Sequence, residues 1–327
     1  MERFALSLVA LRLPLAALTL FAVTSAGCDA VVQQRPLAER LGYKATDRLL
    51  IINGDDFGMC HSANTATIDS LTNGLMTSAT VMTPCPWFLE VVRFAKANPK
   101  ADIGVHLTHT AEWQVYRWGP VAPVASVPGL VDPQGYLWRG VEEVYSHAKA
   151  DEALTEARAQ LKKALDAGID VTHLDSHMGA MQYNGEFHRR YLQLAIESNL
   201  PVRMGSPETY EKAGFPSIRK ETQALGLVFP DRLVHEEDPK PGEARKAFWK
   251  RILADLKPGV TELYIHASVL SEESKATTNT SKERAEDYEI FTHDPEMKDL
   301  VKKLGIIRIG YRELRDLQRR ERAAAGK

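Results

Sequence analysis

LLIINGDDFG (49–58) is an apolar run, predicted as a strand, that ends in two adjacent carboxylates and a glycine. Three other segments have the same form, with histidines or a carboxylate where the predicted strand ends, namely DIGVHLTHT (102–110), DVTHLDSHMG (170–179) and GVTELYIHAS (259–268). Together they deliver two carboxylates and several imidazoles to what would be one end of an α/β sheet. Asp and neutral His are common ligands of divalent metals, so the pattern is typical of a metal-dependent enzyme.

Apolar runs and helical stretches alternate along nearly the whole chain. Further runs lie near residues 77–83, 201–204, 227–234 and 305–309, and stretches such as 151–167 have helical patterns. Seven or eight βα units without a dinucleotide-binding glycine fingerprint favour a closed or nearly closed barrel over a doubly wound sheet. We therefore predict an α/β fold, a distorted (β/α)7-8 TIM-like barrel in a single domain.

The first 28 residues are predicted to be a signal peptide. Arg3 precedes an apolar run that ends in small residues directly before Cys28, which resembles the lipobox of bacterial lipoproteins. We predict that Cys28 is lipidated, and an ordinary signal peptide or an uncleaved anchor is the alternative. Each would place the protein in the cell envelope, as a membrane-anchored lipoprotein or as a periplasmic or secreted protein. The remaining segments are a linker (29–46), the barrel (47–318) and a disordered tail (319–327).

Charge and cysteine content exclude several other classes of protein. The chain has 41 basic and 43 acidic residues, a formal net charge of -2, and no basic block. Binding to nucleic acid or to an anionic membrane surface is therefore not expected. If Cys28 is lipidated, Cys60 and Cys85 remain, and these are expected to be either a disulfide or two buried thiols.

Residues 109–150 interrupt the alternation of strands and helices. This stretch of about forty residues is rich in proline, glycine and aromatic residues. A loop of that length in a compact domain is usually a lid or a binding loop. We therefore expect it to lie over a functional site.

Five candidate site residues lie at predicted strand ends: Asp55, Asp56, His106, His177 and His266. Taken singly, adjacent carboxylates could cap a turn and a histidine could be a hydrogen-bonded core residue. Taken together, they fall where the chemistry of a barrel collects. The periodicity of a strand places His173, Asp175 and His177 on one face, so Asp175 is expected either to orient an imidazole or to close a turn.

Several of these segments, taken together, resemble those of a known protein family. The segments NGDDFG, GVHLT, THLDSH and TELYIH, with LGIIRIGYREL (304–314), resemble the YdjC/ChbG-like carbohydrate deacetylases, which are related to the NodB-type polysaccharide deacetylases. The resemblance extends from about residue 47 to 316. It implies removal of acetyl groups from N-acetylglucosamine-containing oligosaccharides or cell-envelope glycans.

The resemblance also implies roles for individual residues. Asp56, His106 and His177 would hold one divalent metal ion, with Mg²⁺ and Zn²⁺ as the leading candidates, and Asp55 would be the catalytic base. Many members have Ser-His-x-His where this chain has Gly179 in place of the second histidine. His109 is a candidate to compensate for this loss.

The residues themselves suggest two further roles. His266 is expected to protonate the departing sugar amine or to stabilise an oxyanion. Aromatic side chains are expected either to stack on sugar rings or to pack the long loop, and the candidates are Trp113, Trp118, Trp138, Tyr136 and Tyr183.

The alternatives to deacetylation are hydrolysis of a phosphodiester or ester bond and non-catalytic glycan binding. The sequence leaves a homodimer open.

Overall fold

The strands of the protein form one curled parallel sheet. The computed structural model describes residues 35–234 and 239–326, so the predicted signal peptide lies outside the described residues. Within those residues the sheet has seven strands, β1 (Arg48–Phe57), β2 (Ser78–Val81), β3 (Ile103–Leu107), β4 (Val171–Ser176), β5 (Arg232–Val234), β6 (Gly259–Ile265) and β7 (Ile306–Arg308). Their order is β4-β3-β2-β1-β6-β5, and β7 pairs with the beginning of β1.

Helices connect the strands, as expected for repeated βα units. The described residues contain thirteen α-helices, α1 (Leu37–Arg40), α2 (His61–Asn73), α3 (Phe88–Ala97), α4 (Val141–His147), α5 (Ala150–Asp166), α6 (Gly185–Ser198), α7 (Pro207–Lys212), α8 (Ile218–Ala224), α9 (Arg245–Ala254), α10 (Glu272–Thr277), α11 (Ser281–Thr292), α12 (Pro295–Lys303) and α13 (Tyr311–Ala324). The predicted α/β class and the distorted (β/α) barrel in a single domain are confirmed.

Irregular backbone continues the sheet beyond β4. Leu174 forms an isolated parallel bridge with Val202, and the Val202 amide donates to the carbonyl oxygen of Val228, 3.3 Å away. The segments 201–204 and 227–229 therefore run between β4 and β5 without forming regular strands. The predicted strand at 201–204 is reduced to this bridge, and Pro201, which has no N–H, cannot extend a ladder there.

Strand β1 lies at the centre of the sheet and is buried on both faces. Leu50 and Ile52 pack in one apolar cluster, while Leu49 and Ile51 pack in a second cluster that includes Tyr311. Burying such a side chain contributes about 1.5–3 kcal/mol. This two-sided burial explains why the sequence of β1 is continuously apolar rather than alternating.

The last helix packs beneath the sheet. Helix α13 extends to Ala324 and so includes residues 319–324 of the predicted tail, and Glu321 pairs with Arg40 of α1.

None of the helices in the described part of the chain is long and apolar enough to span a bilayer. Cys60 and Cys85 are both buried as free thiols.

Candidate active site

A β-bulge at the end of β1 turns two neighbouring carboxylates into the same space. The register between β1 and β2 shifts between Gly54 and Phe57, and Asp56 has a φ of 63°, a left-handed conformation that residues other than glycine seldom adopt. A regular strand would direct adjacent side chains to opposite faces, whereas a bulge re-aims one of them. Asp55 and Asp56 are consequently both buried at the barrel mouth.

Asp56, His106 and His177 converge there from β1, β3 and the turn after β4. The Oδ1 atom of Asp56 lies 3.5 Å from Nε2 of His106 and 3.3 Å from Nδ1 of His177. The two imidazole nitrogens are 3.2 Å apart, and all three side chains are buried. The structure therefore brings together the three residues that the family resemblance implies as metal ligands.

A second carboxylate faces the other nitrogen of each histidine. Asp175 is opposite His106 in the β3–β4 register, and its Oδ1 lies 2.7 Å from Nδ1 of that ring. Glu112 places Oε2 2.9 Å from Nε2 of His177. Burial opposes protonation of His177, but Glu112 and Asp56 raise its pKa to about 10. Asp175 and Glu112 thereby orient Nε2 of His106 and Nδ1 of His177 towards Asp56. Their negative charge also favours the binding of a cation.

Two observations show that these residues fit a divalent cation. Both carboxylate oxygens of Asp56 are buried without a hydrogen-bond partner, which ordinarily costs about 1–3 kcal/mol for such a group. Ligands about 2.0–2.2 Å from a metal such as Zn²⁺ or Mg²⁺ lie roughly 3.0–3.5 Å from one another. The three donor atoms have separations of 3.2–3.5 Å. Three protein ligands also leave coordination positions open, as in catalytic sites.

Arg284 of α11 supports the outer oxygen of Asp56. Its Nη2 atom lies 2.8 Å from Asp56 Oδ2 as an ion-pair contact that lacks hydrogen-bond geometry, and its Nε donates to Thr280 Oγ1 at 3.0 Å. Burial would raise the pKa of Asp56, but Arg284 and His177 hold it well below its usual value. Asp56 is therefore ionised, with Oδ1 turned to the histidines.

Asp55 is held by the guanidinium group of a different arginine, Arg203. Arg203 donates from Nη1 to Oδ2 at 2.7 Å and from Nη2 to Oδ1 at 2.8 Å, and Asn53 also donates to Oδ1 at 2.8 Å. Burial would raise the pKa of Asp55, but Arg203 lowers it strongly. Asp55, His106 and Asp175 also cluster, but there Arg203 already supplies the positive charge. Asp55 is thus a carboxylate of fixed orientation. It lies next to the group formed by Asp56, His106 and His177 but is not a member of that group.

His266 follows β6 and lies near both aspartates. Its ring packs edge-to-face on Tyr264 with centroids 5.6 Å apart. Burial lowers the pKa of His266, although Asp56 and Asp55 oppose this shift. The resting imidazole is therefore neutral and able to take up a proton. His109 lies elsewhere, with Nε2 3.0 Å from the carbonyl oxygen of Ala153, so it does not replace the missing second histidine.

Two of the candidate aromatic residues pack the long loop. Trp118 is buried and donates its indole N–H to the carbonyl oxygen of Thr110 at 3.0 Å. Trp138 stacks on His147 with centroids 4.1 Å apart and donates to the carbonyl oxygen of Gly129 at 2.7 Å. These contacts account for both side chains as loop packing rather than as exposed faces for a ligand.

Tyr183 fills the space beside Gly179. A Cβ atom on Gly179 would lie 2.2 Å from Cε2 of Tyr183, and Gly179 has a φ of 66°. The Tyr183 side chain is 55% exposed, as is Met178 at 43% on the same turn. The phenol ring therefore occupies the position into which a side chain at residue 179 would project.

Sequence reasoning missed three charged residues of the site: Glu112, Arg203 and Arg284. Glu112 and Arg284 lie in a loop and a polar helix, where many charged residues are solvated and spacing identifies none of them. Arg203 did leave a signal, because it interrupts the short apolar run PVRM (201–204). A charge in such a run requires a buried partner.

A distorted (β/α) barrel with buried carboxylates and imidazoles at the carboxyl ends of its strands is the architecture of a barrel enzyme. The chain belongs to the YdjC-like protein family, whose model matches residues 49–303.

Three comparisons describe the chain's relatives. A carbohydrate deacetylase of Thermus thermophilus is 33% identical over 268 residues, covering 81% of this chain and 93% of the relative. A carbohydrate deacetylase of Thermoanaerobacter pseudethanolicus is 26% identical over 264 residues, covering 81% and 98%. A crystal structure from Enterococcus faecalis, described as a cellobiose-phosphate cleavage protein, is 26% identical with a TM-score of 0.70, covering 82% and 99%.

Proposed function

We propose that this chain is a metal-dependent carbohydrate deacetylase that removes acetyl groups from N-acetylglucosamine-containing oligosaccharides or cell-envelope glycans. The chain is a hydrolase of the carbohydrate N-deacetylase class, as its similarity to carbohydrate deacetylases over most of their length supports. The observation that carries the proposal is the Asp56, His106 and His177 group with Asp55 beside it. A purely glycan-binding barrel would have no need of a second, oriented carboxylate at that place.

Asp56, His106 and His177 would hold one divalent cation, with Mg²⁺ or Zn²⁺ as the first candidates. When bound, such an ion supplies Lewis-acid polarisation of a carbonyl oxygen and lowers the pKa of water. The ligand set does not select one ion, because a mixed oxygen and nitrogen site accepts several and availability decides between them.

Asp55 acts as the base in this proposal. Its ionised carboxylate accepts a proton from the attacking water, while Arg203 and Asn53 prevent it from rotating away. His266, neutral at rest and near both aspartates, would take over the proton that Asp55 has accepted from water and give it to the departing sugar amine as the C–N bond breaks. Proton transfers by positioned groups contribute about 10²–10⁴-fold each.

The substrate would enter at the mouth of the barrel, beneath the segment 108–140, which is the part of the long loop between β3 and α4. Exposed Tyr183 and half-buried Trp113 offer aromatic faces close to Gly179 and Arg284, respectively. Pyranose rings expose apolar C–H faces, which pack on such rings while their hydroxyl groups stay hydrated.

We place the protein in the cell envelope, anchored through lipidated Cys28 or released after cleavage of the signal peptide. The composition of residues 1–28 supports this proposal. Membrane fractionation of the full chain and of a Cys28→Ala variant tests it. Wild-type protein in the membrane and variant in the soluble envelope fraction are expected, and cytoplasmic wild-type protein would contradict the placement.

Acetate release tests the activity. The protein is stripped of metal, re-supplied with individual divalent ions and incubated with N-acetylglucosamine oligomers or peptidoglycan fragments. We expect acetate only after an ion is added. Phosphate or an alcohol released from other substrates, without acetate from any amino sugar, would instead indicate a hydrolase of a different bond.

A further inference from the structure

A segment between β3 and α4 supplies a carboxylate to the candidate metal centre. Glu112 lies five residues after β3, and its Oε2 atom is 2.9 Å from Nε2 of His177. Its side chain is 23% exposed and that of His177 is 5% exposed, so the contact is largely shielded from water. Among the carboxylates around the triad, Glu112 is the one that belongs to the long loop.

The backbone directly before Glu112 is fixed. The amide of Ala111 donates to the carbonyl oxygen of Trp138 at 2.7 Å, and Arg117 Nε donates to the carbonyl oxygen of Ala111 at 3.1 Å. Trp118 anchors the carbonyl of Thr110, and its ring centroid lies 6.5 Å from that of His177. The loop therefore presents Glu112 from a defined position rather than from a mobile surface.

This contact determines which nitrogen of His177 faces the centre. An ionised carboxylate only accepts hydrogen bonds, so Nε2 of His177 carries the hydrogen directed at Glu112. In the neutral form of the ring, the lone pair of Nδ1 then points to Asp56 and His106. Asp175 has the same effect on His106 but at the opposite nitrogen. It contacts Nδ1, so Nε2 faces the candidate metal centre.

We infer that Glu112 is a positioning residue that holds His177 in its metal-binding orientation, and that the segment 108–140 is thereby part of the metal centre. The inference rests on the metal site of the proposed function. Because coupling between two events is reciprocal, a bound ion also stabilises the ordered form of this segment. Removing a carboxylate that orients a ligating histidine typically weakens metal binding by 10–100-fold.

Zn²⁺ affinity is the direct test, because it does not depend on turnover. The full chain is stripped and titrated with Zn²⁺ against a chromophoric chelator. We expect Glu112→Ala to weaken binding about 10–100-fold and Glu112→Gln, which keeps an acceptor oxygen, to weaken it less. Glu142→Ala removes an exposed carboxylate of α4 and is expected to stay within about twofold of wild type.

Tryptic cleavage within the segment, at Arg117 and Arg139, measures the coupling. Zn²⁺ should slow cleavage of the wild-type protein and of Glu142→Ala, and should protect Glu112→Ala much less at equal site occupancy. If Glu112→Ala misfolds, Glu112→Gln carries both measurements. Zn²⁺ affinity of the variants equal to wild type, or protection equal to wild type, overturns the inference. A wild-type protein that binds Zn²⁺ but releases no acetate refutes the proposed activity alone.

Discussion

Gly179 stands where the family resemblance implies a second histidine, and its surroundings explain why Gly179→His should destabilise the protein. Gly179→His places a branched side chain at a φ of 66° and a Cβ within 2.2 Å of the Tyr183 ring. Left-handed backbone costs a non-glycine residue about 1 kcal/mol and overpacking about 1–3 kcal/mol. We expect the free energy of unfolding, measured in urea, to fall by about 2–4 kcal/mol.

Two further variants separate these causes. Gly135 also has a positive φ of 90°, but a Cβ there would meet nothing within 4 Å, so Gly135→His should show the backbone cost alone. Combining Gly179→His with Tyr183→Ala should recover the overpacking part. A Gly179→His protein as stable as wild type would mean that Tyr183 does not hold this place.

His188 makes stability depend on pH in the acid range. Both ring nitrogens are buried without hydrogen-bond partners in α6, and burial lowers the pKa of His188 to about 4. Above the unfolded pKa of about 6.5 both states are neutral and the group has no effect. As the pH falls from about 6.5 to 4, only the unfolded state takes up the proton, so stability falls.

His188→Leu should flatten that part of the curve. A pKa difference of this size corresponds to about 3 kcal/mol, so the variant should lose less stability than wild type between pH 6.5 and 4 in urea unfolding. Parallel curves for His188→Leu and wild type would show that His188 is not buried as a neutral group.

At the residue scale the sequence located the candidate site residues and one of their partners, Asp175, but not the other partners. Asp55, Asp56, His106, His177 and His266 were found because strand ends are visible in the sequence. The bulge at Asp56, which separates the two aspartates into different ion pairs, was not predictable, because local propensity does not encode a register shift. The other ion-pair partners come from distant segments, so only the tertiary fold reveals them.

Among the elements, helix α5 holds the long loop by its backbone. Glu156 accepts from the amides of Val121 at 2.9 Å and Ala122 at 2.8 Å, and Gln160 accepts from the Thr108 amide at 2.8 Å. Burial raises the pKa of Glu156. Glu156 and Gln160 thus supply the hydrogen-bond acceptors that a neighbouring strand would otherwise have provided for these amides.

Glu156→Ala should therefore loosen the loop more than the barrel. Leaving buried amides without acceptors costs about 1–3 kcal/mol each, so we expect faster proteolysis within residues 108–140 and, for the two amides, a fall of about 2–6 kcal/mol in unfolding free energy. Glu142→Ala is the exposed control and should change neither. Unchanged proteolysis in Glu156→Ala would mean that the tryptophan contacts alone fix the loop.

Strand positions were predicted well because apolar runs buried on both faces are conspicuous. The segment 201–204 was an exception, since its apolar composition predicts a strand while Pro201 and the inward Arg203 restrict it to a single bridge. The long loop was identified by composition. Its role at the site was not, because Glu112 is one of many acidic residues.

On the scale of the whole molecule, a buried chain of polar contacts connects the last helix to the site. Tyr311 at the start of α13 donates to Glu262 of β6, which accepts from Nε of Arg203 at 2.8 Å, and Arg203 holds Asp55. Burial raises the pKa of Glu262 to about 7 although Arg203 opposes this shift. The orientation of Asp55 thus depends on packing across the full depth of the barrel.

The central claim is that adjacent carboxylates have separate duties, Asp56 in holding the ion and Asp55 in moving a proton. The most direct measurement records bound metal and acetate release together for wild type, Asp56→Ala and Asp55→Asn. We predict that Asp56→Ala loses both, whereas Asp55→Asn keeps stoichiometric metal and loses turnover by about 10²–10⁴-fold. Stoichiometric metal in Asp56→Ala, or near-normal turnover in Asp55→Asn, would contradict the account.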